Sequence, residues 1–411
     1  MQYNGLLLWW RAQMRRRPWW MNLLMFFCIY MAFLHVPVDL FCTPVARDEQ
    51  VWFGIVWRGW AAKLGELAHW AVFAAGAYGF WHVRTWMWPW AAVYAGQVTF
   101  SMVIWFLFYR GGVGGFVASL IALAFYGGIT LVLWRARPLF HAARPTLRAR
   151  YGEWALVSGA SAGIGAEFAR ALARDGMSCV LTARRADRLQ ALAGELESAF
   201  AVKTRVVAID LGQPGGADRL CDAVADLDIA VVINNAGYGL AGSFDGQDAN
   251  RLAAMVELNC VAPVVITKRL LPRLQSRGRG GIIIVSSTAG HQPVPFNSVY
   301  GATKAFDLVF GEALWAELQG TGVDVLVVQP GPTATEFQAV AGETAHEGEP
   351  PAQVVGVALN ALGRQPSVIS GWFNWLRANA AVRFMPRSLV ALIAGRVMAQ
   401  WTPDRPAANR S

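Results

Sequence analysis

The chain has 411 residues, enough for two domains, with 55 % apolar and only 15 % charged residues and a net charge of +9. Soluble domains carry about 25 % charged residues, so part of this chain is expected outside water. The charge is uneven: residues 1–150 hold 14 Lys/Arg and 4 Asp/Glu, the remainder 22 and 23, and 14 of the 19 Trp fall between Trp9 and Trp134. The basic residues flank apolar runs and form no stripe, which argues against a nucleic-acid partner. The five Cys are scattered, with no CxxC and no Cys/His spacing that suits a metal, so isolated reduced thiols are expected.

In chain order, residues 1–145 come first as an all-α membrane region. Four apolar stretches, 19–42, 64–83, 87–109 and 113–134, are each about as long as the ~20 residues a helix needs to cross a bilayer. A cleaved signal peptide has a shorter apolar core and no further spans behind it. Trp19, Trp20, Trp86, Trp88, Trp90, Tyr109 and Trp134 fall near the ends of the stretches, where aromatic rings meet headgroups. Arg11, Arg15, Arg16, Arg17, Arg84, Arg135, Arg137, Arg144, Arg148 and Arg150 lie on one side, and Arg47, Arg58, Lys63 and Arg110 on the other. That excess predicts both ends in the cytoplasm, with a bacterial inner membrane favoured over a eukaryotic endomembrane. Glu66 and His69, one turn apart, could form a proton or ligand site; snorkelling toward the interface is the preferred reading.

From Glu153 the pattern changes to short β-branched runs alternating with amphipathic helices. Strands are expected near 154–158, 179–183, 205–209, 230–234, 281–286, 324–328 and 367–370. The fold class is α/β, a Rossmann-type doubly wound parallel sheet of about seven strands. The first strand runs into Gly159-Ala160-Ser161-Ala162-Gly163-Ile164-Gly165 and then a helix, a turn that lets a pyrophosphate approach the backbone and the helix N-terminus. At the tip of the second strand, where an acid would grip a ribose hydroxyl, stand Arg184 and Arg185. Guanidiniums suit a 2′-phosphate, so NADP(H) is preferred, with NAD(H) still admitted.

Tyr300 and Lys304 are one helical turn apart and point the same way. A nearby ammonium favours the phenolate, giving a tyrosine able to donate or accept a proton. Taken alone this pair is a common coincidence. Its neighbours in sequence are not: Ser286-Ser287-Thr288-Ala289-Gly290 and Asn234-Asn235-Ala236-Gly237 both end strands, and Asn259 lies in the helix after the second of these. Together with Asp210-Leu211 and Pro330-Gly331-Pro332-Thr333-Ala334-Thr335, these pieces make residues 152–371 resemble the short-chain dehydrogenase/reductase family.

That resemblance implies Tyr300 as general acid/base, with Lys304 lowering its pKa and holding the nicotinamide ribose. Ser287 would bond the substrate oxygen, and Asn259 would hold a helix kink and a relay water. Gly159, Ser161, Gly163, Ile164 and Gly165 would meet the pyrophosphate and ribose. Asp210 and Leu211 would border the adenine, Asn235, Ala236 and Gly237 the adenosine, and Pro330, Gly331 and Thr335 the nicotinamide. Ser158 replaces the threonine common in the family. The segment 332–350 resembles the family's mobile flap, although a plain surface loop is nearly as good a reading. Homodimers or homotetramers are the family's usual assemblies.

Residues 372–411 form a basic tail in which Trp372, Phe373, Trp375, Leu376, Phe384, Met385, Leu389, Leu392 and Ile393 interleave with Arg377, Arg383, Arg387 and Arg396. It reads equally as a helix on a lipid surface or as a cap over the substrate cleft, and 403–411 as a frayed end. The expected function is a membrane-anchored, NADP(H)-dependent interconversion of a lipophilic carbonyl and a secondary alcohol, with membrane lipid as a second partner. A non-catalytic NADP(H) sensor, and a transporter with a fused regulatory domain, are the alternatives.

Overall fold

The computed structural model describes residues 10–11, 13–15, 17–141, 145–344 and 347–402. Arg16, Arg144 and the terminal segment 403–411 lie outside them, as do the side chains of Arg110 and Phe384. The chain divides into two compact units with a boundary at residues 144–145.

The first unit holds four long apolar helices. The first runs from Trp19 to Tyr30, widens into a π turn at Met31–His35 and continues to Cys42. Pro37 explains the widening, because it has no N–H to return to the preceding turn and its ring crowds that turn's carbonyl. Trp60–His82, Met87–Trp105 and Gly112–Arg135 follow. The first, third and fourth are long and apolar enough to cross a membrane; Trp60–His82 is less apolar. Ala249–Ser276 also has the length and composition of a span. It belongs to the second unit, where Ile266, Leu270 and Leu274 are buried in its core and Arg269 pairs with Asp218 and Asp222. The helices of the first unit turn large apolar side chains outward: Phe33, Phe41 and Val113 are each at least three-quarters exposed. Such a surface suits hydrocarbon and not water.

Between the first two long helices lies an antiparallel hairpin that the sequence reading does not anticipate, β1 (Glu49–Trp52) and β2 (Ile55–Arg58). Phe53 and Gly54, both at positive φ, make its two-residue turn, the backbone hand that matches strand twist. The hairpin corrects the expectation for Glu66. That side chain does not snorkel outward; it is 2 % exposed, accepts a hydrogen bond from Gln50 at 3.1 Å and lies 3.5 Å from Lys63. Lys63 also pairs with the buried Asp48 at 2.9 Å and donates to the Asp39 carbonyl. His69 stacks on Trp52 at 4.3 Å instead of joining Glu66.

The second unit is built on a seven-stranded, all-parallel sheet: β3 (Trp154–Ser158), β4 (Ser178–Ala183), β5 (Thr204–Ala208), β6 (Ile229–Asn234), β7 (Gly280–Val285), β8 (Val323–Gln329) and β9 (Ser367–Ile369). The spatial order is β5-β4-β3-β6-β7-β8-β9. The inner strands β6 and β7 are buried throughout, as expected when helices cover both faces. One core packs Phe168, Leu172, Leu189 and Leu196 on one face; the other packs Leu220, Ile266, Leu270 and Leu314 on the opposite face. The chain runs outward from β3 to β5, then crosses back to β6 and runs the other way. The reversal opens a crevice between the carboxyl ends of β3 and β6, the position where such sheets bind ligands.

Lys63 is the cation of a buried cluster with two carboxylates. Replacing it by Met leaves Asp48 and Glu66 unpaired, a loss of about 3–5 kcal/mol by analogy with other broken buried pairs. Thermal unfolding of the full chain in detergent checks this through a lowered Tm for Lys63→Met.

Candidate active site

The floor of the crevice is the turn after β3. Gly159 has φ +69°, a left-handed conformation suited to glycine. A Cβ on Gly165 would lie 2.3 Å from the Gly159 carbonyl oxygen, so the start of helix Gly163–Arg174 packs against the strand end only because that side chain is absent. Gly163 and Ile164, at this helix start, and Ser161, in the turn, line the crevice, where a helix N-terminus suits an anion. The hydroxyl of Ser158 ties the turn to the neighbouring strand: it donates to the Ile233 carbonyl at 3.1 Å and accepts from the N–H groups of Asn235 and Ala236 at 2.9 and 3.0 Å. The Asn235 amide returns a bond to the Ser158 carbonyl at 2.9 Å. A serine therefore does the work expected of a threonine there.

The crevice opens into a cleft of ≈ 890 Å³. Gly159, Ser161, Gly163, Ile164, Arg184, Arg185, Asp210, Leu211, Asn235, Ala236 and Gly237 line it together with Ser287, Tyr300, Lys304, Pro330, Gly331 and Thr335. Two residues expected at the site stand behind its wall. Gly165 acts by closing the turn. Asn259, 1 % exposed, sits in a π turn at Glu257–Val261 and donates to the Tyr238 carbonyl and the Thr303 hydroxyl, both at 3.0 Å. It also accepts from the Tyr238 N–H. The helix widens into a π turn at Asn259, whose side chain holds the loop after β6 against the Tyr300 helix.

Tyr300 and Lys304 share one face of helix Ser298–Glu317, the Nζ 6.0 Å from the phenol ring centre. Helix and strand ends are stitched together by Ser286, whose hydroxyl donates to the Lys304 carbonyl at 2.6 Å. Burial pushes the pKa of Tyr300 above that of a free phenol, while the Lys304 charge and a hydrogen bond with Ser287 pull it down. Lys304 is buried, donates to the Val285 carbonyl at 2.8 Å and meets Asp307 at 2.9 Å.

Several lining groups have no warning in the sequence motifs. Phe337 packs against Tyr300 at 5.2 Å between ring centres. Glu336 binds Arg185 at 2.8 Å and also pairs with Arg188, and Arg185 in turn donates to Ser161 at 3.1 Å. The tail forms two helices, Trp372–Phe384 and Arg387–Trp401, and Leu376, Met385, Val390, Ile393 and Met398 line the cleft. The tail thus forms part of the cleft wall, as the cap reading expects. Trp372, Phe373 and Trp375 remain more than half exposed on its other side. Segment and tail are joined where the Thr344 N–H donates to the Trp401 carbonyl at 2.9 Å.

The strand order, the glycine turn and the Ser-Tyr-Lys cleft define a nucleotide-dependent oxidoreductase. The short chain dehydrogenase pattern matches residues 153–346. Over 235 residues the chain is 35 % identical to a 7beta-hydroxysteroid dehydrogenase of Collinsella aerofaciens, covering 56 % of this chain and 89 % of that protein. Over 218 residues it is 34 % identical to the very-long-chain 3-oxoacyl-CoA reductase of Homo sapiens, covering 52 % and 70 %. A short-chain dehydrogenase from Sphingobium yanoikuyae, solved in complex with NADPH, superposes with a TM-score of 0.53 at 30 % identity over 63 % of this chain and all of that one. The chain belongs to the short-chain dehydrogenase family and is an NAD(P)-dependent oxidoreductase acting on CH–OH groups.

The close approach at Gly165 gives a direct test of the nucleotide cradle. Gly165→Ala is expected to weaken dinucleotide binding at least about tenfold, since a methyl group there must push the Gly159 backbone out of place. Fluorescence titration with NADPH measures it.

Proposed function

We propose that this protein is a membrane-anchored, NADP(H)-dependent oxidoreductase that interconverts a lipophilic ketone and its secondary alcohol. The observation that carries the substrate class is the cleft itself, lined by Ser287 and Tyr300 together with the tail residues Leu376, Val390, Ile393 and Met398. The relatives fit that class by name, one a hydroxysteroid dehydrogenase and the other a very-long-chain 3-oxoacyl-CoA reductase.

The bound dinucleotide supplies or removes a hydride at the substrate carbon. The chain's own residues handle the oxygen and its proton. In reduction the Ser287 hydroxyl and the Tyr300 phenol both bond the carbonyl oxygen, and Tyr300 gives its proton as the alkoxide forms. In oxidation the phenolate takes the proton back. Lys304 stabilises the phenolate and orients the ribose, while Asn259 keeps the surrounding helix turn in register. Oxidation accelerates as pH rises through the Tyr300 pKa, and reduction slows through the same range. Tyr300→Phe is expected to lower turnover about 10²–10⁴-fold. NADPH consumption with a panel of bulky steroid ketones and long-chain 3-oxoacyl thioesters measures this; full turnover by the Phe variant overturns the mechanism.

The preference for NADP(H) is supported by Arg184 and Arg185 at the crevice mouth, and by the NADPH complex of the Sphingobium relative. Glu336 occupies Arg185 and Arg188 as a competing anion. Arg185→Ala is expected to cost about tenfold in affinity for NADPH and little for NADH, while Glu336→Gln strengthens NADPH binding. Titrations with both dinucleotides separate these effects.

The domain organisation follows the same reading: a membrane region within 1–145, the catalytic domain at 152–371 and the basic tail from 372. Three of the four long helices have the length and hydropathy of a membrane span, which supports anchoring. The arginine excess before the first and after the fourth supports a cytoplasmic catalytic domain.

A further inference from the structure

Asp307 follows Lys304 by three residues in helix Ser298–Glu317, one turn on and on the same face. Its side chain is 2 % exposed, with Oδ2 2.9 Å from the Lys304 Nζ. Its Oδ1 has no hydrogen-bond partner among the described residues. A buried carboxylate with half its acceptors unused is costly. The Val285 carbonyl already gives the ammonium a neutral acceptor. None of the roles in proton transfer or nucleotide binding employs Asp307, so the charge itself calls for an explanation.

We propose that Asp307 is a positioning residue for the reaction: its carboxylate fixes the Lys304 ammonium and damps the positive field that the ammonium casts on the Tyr300 hydroxyl. The geometry has two effects. An ammonium has three donors. Asp307 and Val285 take two, leaving one for the cleft. A cation and an anion 2.9 Å apart act at the phenol nearly as a dipole, so Tyr300 feels less than a bare cation would supply. The phenol then stays protonated to higher pH, which favours giving a proton to a carbonyl over taking one from an alcohol.

The other titratable groups around the pair are few. Glu343, from the segment after Phe337, accepts from Asn297 at 2.9 Å and acts on Tyr300 in the same sense as Asp307. Cys260, from the π turn, is pushed by burial up to about 11 and stays neutral through the physiological range. Burial raises the Asp307 carboxyl above the usual carboxylate range, and the Lys304 charge offsets part of that rise.

The inference rests on Tyr300 as the proton-transfer group, and the test reads its charge without requiring turnover. The phenolate absorbance of Tyr300 is titrated in the full-length protein in detergent, as the difference between each protein and its Tyr300→Phe counterpart. Asp307→Asn is expected to lower the phenolate midpoint by about one pH unit or more, and Asp307→Glu to restore it. An unchanged or raised midpoint in Asp307→Asn overturns the proposal. Should Asp307→Asn fail to fold, because it strands a buried cation, the pair Lys304→Met and Lys304→Met/Asp307→Asn decides. With Lys304 gone, the lone carboxylate must hold the midpoint above that of the double variant; equal midpoints overturn the proposal. Loss of turnover in Tyr300→Phe tests the acid/base role separately, so failure of one does not pass for failure of the other.

Discussion

The hydroxyl of Ser158 holds three backbone groups across the point where the sheet reverses its winding. On one side of it lies the glycine turn that receives the nucleotide. On the other lies the loop 235–238, which Asn259 ties to the Tyr300 helix through Tyr238 and Thr303. The crevice exists because β3 and β6 diverge there, and it keeps its shape because these few buried bonds span the divergence. A nucleotide pocket and a catalytic helix far apart in sequence are thereby held in one frame. Ser158 and Asn259 are themselves buried, a setting in which such bonds count for more than they do in water.

The parallel sheet was legible from the sequence because its strands are apolar runs bounded by turn residues and separated by amphipathic helices. Their positions agree with expectation to within about one residue. The motifs at strand ends also converge on one cleft, since parallel strands all deliver their carboxyl ends to the same edge. What escaped the reading depends on contacts distant in sequence. Glu336 reaches Arg185 across 151 residues. Glu66 is drawn inward by Gln50 and Lys63, a pairing visible only once the short hairpin is known. The tail was ambiguous because interleaved arginines and aromatics suit a lipid surface and a cleft wall alike; the helices place apolar groups toward both. Asp307 did lie at a readable spacing from Lys304, but a carboxylate on a helix ordinarily faces water.

The two units solve opposite solvent problems. The catalytic unit hides its apolar residues in two cores either side of the sheet. The helical unit keeps a small core around Met21, Met25, Phe80 and Met87 and leaves large aromatics outside. Its buried polar cluster is correspondingly compact, with the one Lys63 ammonium shared by Asp48 and Glu66. In the catalytic unit the buried ions stand beside the reacting groups instead, where an ion pair does more for chemistry than for folding.

The sheet ends in two unequal rims. At one side β5 has five residues; at the other β9 has three, paired to β8 only through Ser367, Val368 and Ile369. A strand so brief offers a foreign strand almost no ladder to extend, and the same economy guards against fibril-like stacking of copies. At the β9 rim, then, helix surfaces offer more to a partner than the sheet edge does.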